Sequence, residues 1–141
     1  MTGTRATLTP PSDAARVTTD RGTFAWWQVA PHVYATCMRG HMTRDMSDLL
    51  IARADPMYGQ VALLHGIHDW LMMTGYETSC RTELTAWVLR NKPKSALHIG
   101  VTLPLVAMGV TVANLALGNL IHVHRDKRGL ERAMSEAVAA P

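Results

Sequence analysis

The residues of this 141-residue chain whose types could carry chemistry are seven histidines, two cysteines and a serine beside one of those cysteines. His65 and His68 stand three apart, and His122 and His124 stand two apart. Closely spaced imidazoles raise a metal site first, yet zinc needs about four converging ligands. His65 and His68 would point to opposite faces of a strand that runs through both, while His122 and His124 would share one. Neither pair sits in a His-Glu-x-x-His or Cys-x-x-Cys setting. These histidines are read as structural or surface groups, with no metal and no cofactor. Ser79 precedes Cys80, but no Gly-x-Ser-x-Gly elbow surrounds it. Cys80 could be activated at a helix N-terminus near Arg81. Its helical spacing with Leu84 and Trp87 assigns it to the core instead. The glycines are dispersed, so no loop cradles a phosphate. Together these residues argue against an enzyme.

The segment His68 to Trp87, HDWLMMTGYETSCRTELTAW, holds the remaining candidates. A strand is expected to end at Asp69, followed by a loop whose tip, after Trp70, is apolar: Leu71, Met72 and Met73. Loops are normally polar, so this tip either folds back on the core or meets a partner, a use that suits adaptable Met side chains. Thr78 and Ser79 would then open a helix. A hydroxyl there caps orphan N–H groups for about 1 kcal/mol. The same N–H groups favour an anion, so a phosphate or a partner is the functional alternative. Asp69, Trp70, Met72, Met73, Thr78, Ser79 and Arg81 form the candidate partner-binding or phosphorylation surface.

Composition bounds the rest. The chain is 48% hydrophobic and 18% charged, with a net charge of +3, and is long enough for one domain with a sizeable core. The densest basic group, Arg125, Lys127 and Arg128, reads as a solvated turn and not as a nucleic-acid patch. Cys37 and Cys80 read as buried free thiols of a reducing compartment, hence a cytoplasmic protein. Residues 1–20 read as a flexible polar tail with no signal peptide. No Asp, Glu, Lys or Arg occurs between Ser95 and His124, a length that could span a bilayer. Pro104 and three glycines divide that stretch into strand, helix and strand, so a buried α/β core is expected and no membrane insertion.

The elements that must position these residues follow from periodicity. GTFAWWQVAP and HVYATCMRGHM read as two strands around Pro31, the second ending at Gly40, with Val33, Ala35 and Cys37 on one face and Tyr34, Thr36 and Met38 on the other. Adjacent Trp26 and Trp27 must point oppositely, so one needs separate cover. Thr43 caps a helix carrying Met46, Leu49, Leu50 and Ala54, closed by Pro56 and Gly59. QVALLHGI is a buried central strand. Cys80, Leu84, Trp87 and Val88 mark a second helix, SALHIGVTL a strand, and Pro104 to about Leu117 a third helix before Gly118. LIHVH is a short strand, and Asp126 caps a last helix with Leu130, Ala133, Met134, Ala137 and Val138 inward. The expected fold is α/β, β-β-α-β-α-β-α-β-α, with a mostly parallel mixed sheet.

Three stretches carry a resemblance. HVYATCMRGHMT resembles the strand, glycine and helix start that open the STAS domain (sulfate transporter and anti-sigma-factor antagonist). ALLHGIHDW resembles its third strand ending in an acid, and MGVTVANLALG its late helix. The resemblance covers about residues 21–139, and its texture is that of small bacterial STAS-like proteins related to the sporulation anti-anti-sigma factor. It implies a regulatory signalling domain that binds a protein, such as an anti-sigma-factor-like kinase, around residues 69–81. The Asp-Ser-Ser-Gly-type segment of the phosphorylated antagonists is not present. Asp69 is retained, and the hydroxyls are displaced to Thr74, Thr78 and Ser79. Lipid-binding modules of the CRAL-TRIO kind are similar in layout. A small apolar or lipid-like ligand therefore stays open as the alternative, as does a self-assembling subunit using the hairpin edge and an exposed Trp.

Overall fold

A computed structural model describes residues 7–140. Among them, six strands form one sheet in chain order: β1 (Ala15–Thr18), β2 (Gly22–Ala30), β3 (Val33–Met42), β4 (Leu64–Tyr76), β5 (Ser95–Gly100) and β6 (Ile121–His124). β1–β2 and β2–β3 are antiparallel, whereas β3–β4, β4–β5 and β5–β6 are parallel. The parallel steps are crossed by α1 (Arg44–Ala54), α2 (Thr78–Arg90) and α3 (Pro104–Ala116), and α4 (Lys127–Ala139) closes the chain. This is the expected mixed α/β sheet with one more strand at its edge. β1 lies inside the segment read from sequence as tail, because Arg16 and Val17 find ladder partners in Ala25 and Phe24. Leu8, also in that segment, is fully buried against the α4 side. The first six residues of the expected tail lie outside the described residues.

The sheet has a core on each face. One holds Phe24, Trp26, Tyr34 and Met38 under α1, α2 and α3, with Met46, Leu50, Trp87 and Val110 contributed by those helices. The other holds Trp27, Val33, Ala35, Cys37 and Ile67 under Leu130, Ala133, Met134 and Ala137 of α4. Strand alternation places 33, 35 and 37 on the α4 side, as the pattern of side chains requires. Trp26 and Trp27 are thereby both buried, one in each core. The exposed Trp expected of a self-assembling edge does not exist. Val138, expected inward, is exposed.

β4 departs from the sequence expectation. It starts at Leu64 instead of Gln60, and it does not end at Asp69 but runs on to Tyr76. Pairing with β5 stops at Asp69↔Gly100, while pairing with β3 continues to Met42↔Tyr76. The reason is the length of β3, which runs past Gly40 to Met42 and so offers residues 70–76 a ladder partner. Two register shifts absorb two surplus residues of β4, one between Asp69 and Met72 and one between Met73 and Gly75. Gly40 sits at the second irregularity with φ +83°, a conformation that disfavours a side chain. The apolar "loop" of Trp70 to Gly75 is therefore strand.

The charge-free stretch Ser95 to His124 resolves into β5, α3 and β6. Among the described residues no helix is long and apolar enough to cross a membrane. α3 docks closely on the sheet extension through Gly109. A Cβ there would collide with the Tyr76 hydroxyl and lie 2.7 Å from its Cζ. Intrinsic propensity favours Ala over Gly in a helix by about 1 kcal/mol. We expect Gly109→Ala nonetheless to destabilise the protein by roughly 1–3 kcal/mol, the usual cost of overpacking. The urea midpoint would check this, and a stabilised variant would show that α3 does not pack on Tyr76.

Candidate functional site

α2 and α3 lie side by side on the sheet and leave a narrow cleft between them, with a free volume of about 80 Å³. Its floor is Tyr34, His68, Trp70, Met73, Leu97 and Ile99. Cys80, Arg81, Leu84 and Trp87 line it from α2, and Val106, Gly109, Val110 and Ala113 from α3. The lining is almost wholly apolar, which suits small-molecule sites.

The polar part of the floor is one buried network. Trp70 Nε1 donates to Thr36 Oγ1 at 3.1 Å, Thr36 Oγ1 lies 2.8 Å from His68 Nδ1, and the Tyr34 hydroxyl lies 3.4 Å from His68 Nε2. The rings of Tyr34 and Trp70 flank the imidazole at 5.5 and 5.1 Å. Gly66 makes room for it. It is the register partner of Tyr34, and a Cβ there would lie 2.6 Å from the Tyr34 hydroxyl and 3.0 Å from His68 Nε2.

Burial sets the protonation of these groups. It pushes the His68 pKa down to about 3, with a smaller push from the charge of His98. It raises Tyr34 well above its ordinary value, Tyr58 adding a little. It raises the Cys80 thiol as well, and the Sγ–H donates weakly to the Met42 carbonyl at 3.8 Å. The activated thiolate weighed from the sequence is absent here. His68 is a neutral imidazole at pH 7 and holds hydrogen bonds instead of moving protons.

The candidate residues divide over three places. Trp70, Met73 and Arg81 meet at the cleft, and Arg81 Nε is buried there without a hydrogen-bond partner. Asp69 is buried on the opposite face with its register partner Cys37, and its Oδ1 accepts from the Leu71 N–H at 3.3 Å. Met72 is 60% exposed. Thr78 is exposed and Ser79 half-buried in the first turn of α2, where Glu77 and not a hydroxyl is the N-cap residue, with no side-chain cap. From Asp69 to Tyr76 the strand advances as far as the five steps from Cys37 to Met42 beside it, about 17 Å at the usual rise. Asp69 and Ser79 therefore do not make one site. Tyr34, Thr36 and His68 were not apparent as a unit from the sequence. Alternation of Tyr34 and Thr36 on one face was a legible signal; their convergence on a residue of the next strand was not.

A second group of histidines lies on the α4 side. His98 Nδ1 stands 2.9 Å from His124 Nε2, and its ring stacks on His122 at 4.9 Å. His32 contacts His65 edge-on. His65 and His68 do face opposite ways. Among the described residues no three His, Cys, Asp or Glu side chains converge as metal ligands would.

Two solved structures are similar to this chain in fold. One is the anti-sigma factor antagonist SpoIIAA in its unphosphorylated form, with TM-score 0.56 and 11% identity over 79% of this chain and 96% of that one. The other is an uncharacterized DUF3478-family protein of SpoIIAA-like fold from Shewanella loihica, with TM-score 0.56 and 12% identity over 86% of this chain and 91% of that one. No protein-family model and no curated protein matches the sequence. The fold is thus STAS-like, of the SpoIIAA type.

The histidines dictate a pH dependence. His68 titrates near 3 and His98 near 4 in the folded chain, both pushed down first by burial, against about 6.5 when unfolded. The unfolded state then binds protons that the folded state refuses. The stability involved is complete above about pH 6.5 and is lost as pH falls from there through about pH 4 and 3. For fully enclosed His68 this amounts to a few kcal/mol, on the order of 1.4 per pKa unit. We expect the urea midpoint of the wild type to fall steeply between about pH 6.5 and 4, and His68→Phe to flatten that fall. An unchanged slope in the variant would place the acid lability elsewhere.

Proposed function

We propose that this chain is a non-enzymatic regulatory domain that acts by binding a protein partner, in the manner of an anti-sigma-factor antagonist switching partners. The observation that carries the reading is the likeness of fold to an anti-sigma factor antagonist, and the groups lining the cleft agree with it. His68 is held neutral by a low pKa and Tyr34 and Cys80 by high ones, so none of these is poised near neutral pH for acid, base or nucleophilic work. What the molecule offers is shape and surface. Likeness of fold to SpoIIAA favours partner binding over catalysis, and a bacterial cytoplasmic setting fits the two unpaired, buried cysteines.

The contact region in this reading is the far end of β4 and the first turn of α2. Met72 presents an adaptable apolar side chain there, and Thr78 an exposed hydroxyl beside backbone N–H groups that no side chain caps. A phosphate on Thr78 or Ser79 would add roughly −2 charge at the favourable end of the helix dipole, so the fold should tolerate it while a docked partner would not. Asp69 and Trp70, both buried, serve this surface by holding β4, and Arg81 by lining the wall behind it.

The test compares wild type with Thr78→Asp, Ser79→Asp and the two alanine variants, for stability and for capture of proteins from native lysate. The aspartates should keep the melting temperature within a few degrees yet lose a partner that the alanines retain. Equal capture by all five would leave Thr78 and Ser79 as helix-start residues only.

A second reading rests on the cleft itself. Its apolar lining and the unpartnered Arg81 Nε suit a small apolar or lipid-like ligand with a polar end. Native mass spectrometry of the purified protein should then show a retained mass that Ala113→Trp, which fills the cleft, removes. An empty wild type would set this reading aside.

A further inference from the structure

α3 has a face that no part of the described chain covers. Leu105 is 63% exposed, Met108 64%, Val112 47% and Leu115 72%. Their spacing of 3, 4 and 3 residues is that of a coiled-coil seam, not of scattered surface side chains. The helix carries no charged residue at all, whereas α4 turns Lys127, Arg128, Arg132 and Glu136 to solvent. The opposite face of α3 already packs inward through Val106, Gly109 and Val110. The exposed stripe is therefore surplus to the monomer's own core.

We propose that this stripe is the contact between two copies of the chain, paired antiparallel across a two-fold axis at the level of Val110. The numbering itself carries the symmetry. With the axis at 110, Leu105 of one copy faces Leu115 of the second, and Met108 faces Val112, so every large exposed side chain of the helix meets another. A two-fold interface must be self-complementary in this way. The antiparallel arrangement also sets each positive helix end against the negative end of its neighbour. No charge is buried. Thr111, the polar residue beside the seam, already donates its hydroxyl to the Ala107 carbonyl at 2.9 Å. Asn114 is likewise occupied, its side chain accepting from the Ile121 N–H at 2.8 Å and donating to the Ile121 carbonyl at 3.1 Å. Contact therefore strands no buried polar group.

The size fits a reversible dimer. Four half-to-three-quarters exposed side chains make an apolar patch on the order of 400 Å², the scale at which a monomer's largest patch is often functional. Doubled, with its rim, it reaches about 1,000 Å², the lower bound of a specific interface. A seam of 13 residues is short, so a micromolar rather than nanomolar affinity is expected.

Sedimentation velocity over a concentration series tests this, with Leu105→Lys and Leu115→Glu as the variants. Both positions are exposed, so each variant should keep the wild-type fold by circular dichroism. Wild type should pass from monomer to dimer in the micromolar range, and each variant alone should stay monomeric. In an equimolar mixture the lysine introduced at position 105 would face the glutamate introduced at position 115 on one side of the axis. On the other side the native Leu115 and Leu105 would still face each other, so dimer should return. Wild type that stays monomeric at the highest soluble concentration would overturn the proposal, and so would variants that dimerise alone. Folded variants that fail to combine when mixed would overturn the antiparallel register. Monomeric wild type that co-floats with phosphatidylcholine–phosphatidylglycerol vesicles, where Leu115→Glu does not, would assign the face to lipid and likewise overturn it.

Discussion

The parallel ladder between β3 and β4 is the interaction on which the rest of this molecule depends. It runs from Val33↔His65 to Met42↔Tyr76, well beyond the point where β5 and β6 stop. Its near half is central and buried on both faces. Its far half is a narrow extension, and α1 and α2 leave from the two strand ends that this extension carries outward. Because α2 starts only after Tyr76, it returns over the sheet at a distance from α3, and the cleft opens between them. Had β4 stopped at Asp69, the hydroxyls of the first turn of α2 would stand beside that acid. The two register shifts make the longer strand compatible with its partner. They bring Trp70 and Met73 to the same core, although residues three apart in a regular strand face opposite ways.

That ladder also explains the buried polar network. Tyr34 and Thr36 from β3 converge on His68 of β4 because parallel pairing brings Thr36 level with His68 and Gly66 level with Tyr34. A glycine on the middle strand is a cost in backbone entropy and lost packing. Here the space it leaves is filled by the Tyr34 ring, whose hydroxyl then reaches the imidazole. Enclosing a histidine is costly unless it stays neutral and finds partners, and both conditions are met. The network ties the two strands across the floor of the cleft more specifically than apolar contacts could. On the surface, Arg44 links Asp48 of its own helix to Glu83 of α2, an exposed arrangement worth little by itself.

The covered and uncovered helices differ in a way that composition alone conceals. α4 is polar outside and apolar inside, so one sheet face satisfies it. α3 is apolar almost all round, and the sheet with α2 can cover only one side. A helix that is hydrophobic on every face belongs inside something larger, which is why its outer stripe reads as an interface.

Most of the architecture was legible in the sequence, because local signals carried it. Thr43 and Asp126 mark helix starts, and the Asp126 carboxylate accepts from the Gly129 N–H at 2.8 Å. Pro104 and Gly118 bound α3, and alternation through Val33 to Met38 assigned both faces of β3 correctly. Adjacency alone sends the two tryptophans of β2 to opposite faces. Three things needed the tertiary structure. β1 pairs only with the neighbouring β2, and Leu8 is held by α4 residues more than a hundred positions away, so a polar stretch with few apolar residues gave no sign of order. The reach of β4 past Asp69 was hidden because two irregularities break its alternation, and only the length of β3 decides that residues 70–76 stay extended. The candidate surface of 69–81 was split for the same reason. Strand alternation sends Asp69 and Trp70 to opposite faces, and the strand's extension carries Thr78 and Ser79 away from both. Periodicity records which side of its own element a residue occupies. Only pairing between elements decides which residues of different elements meet.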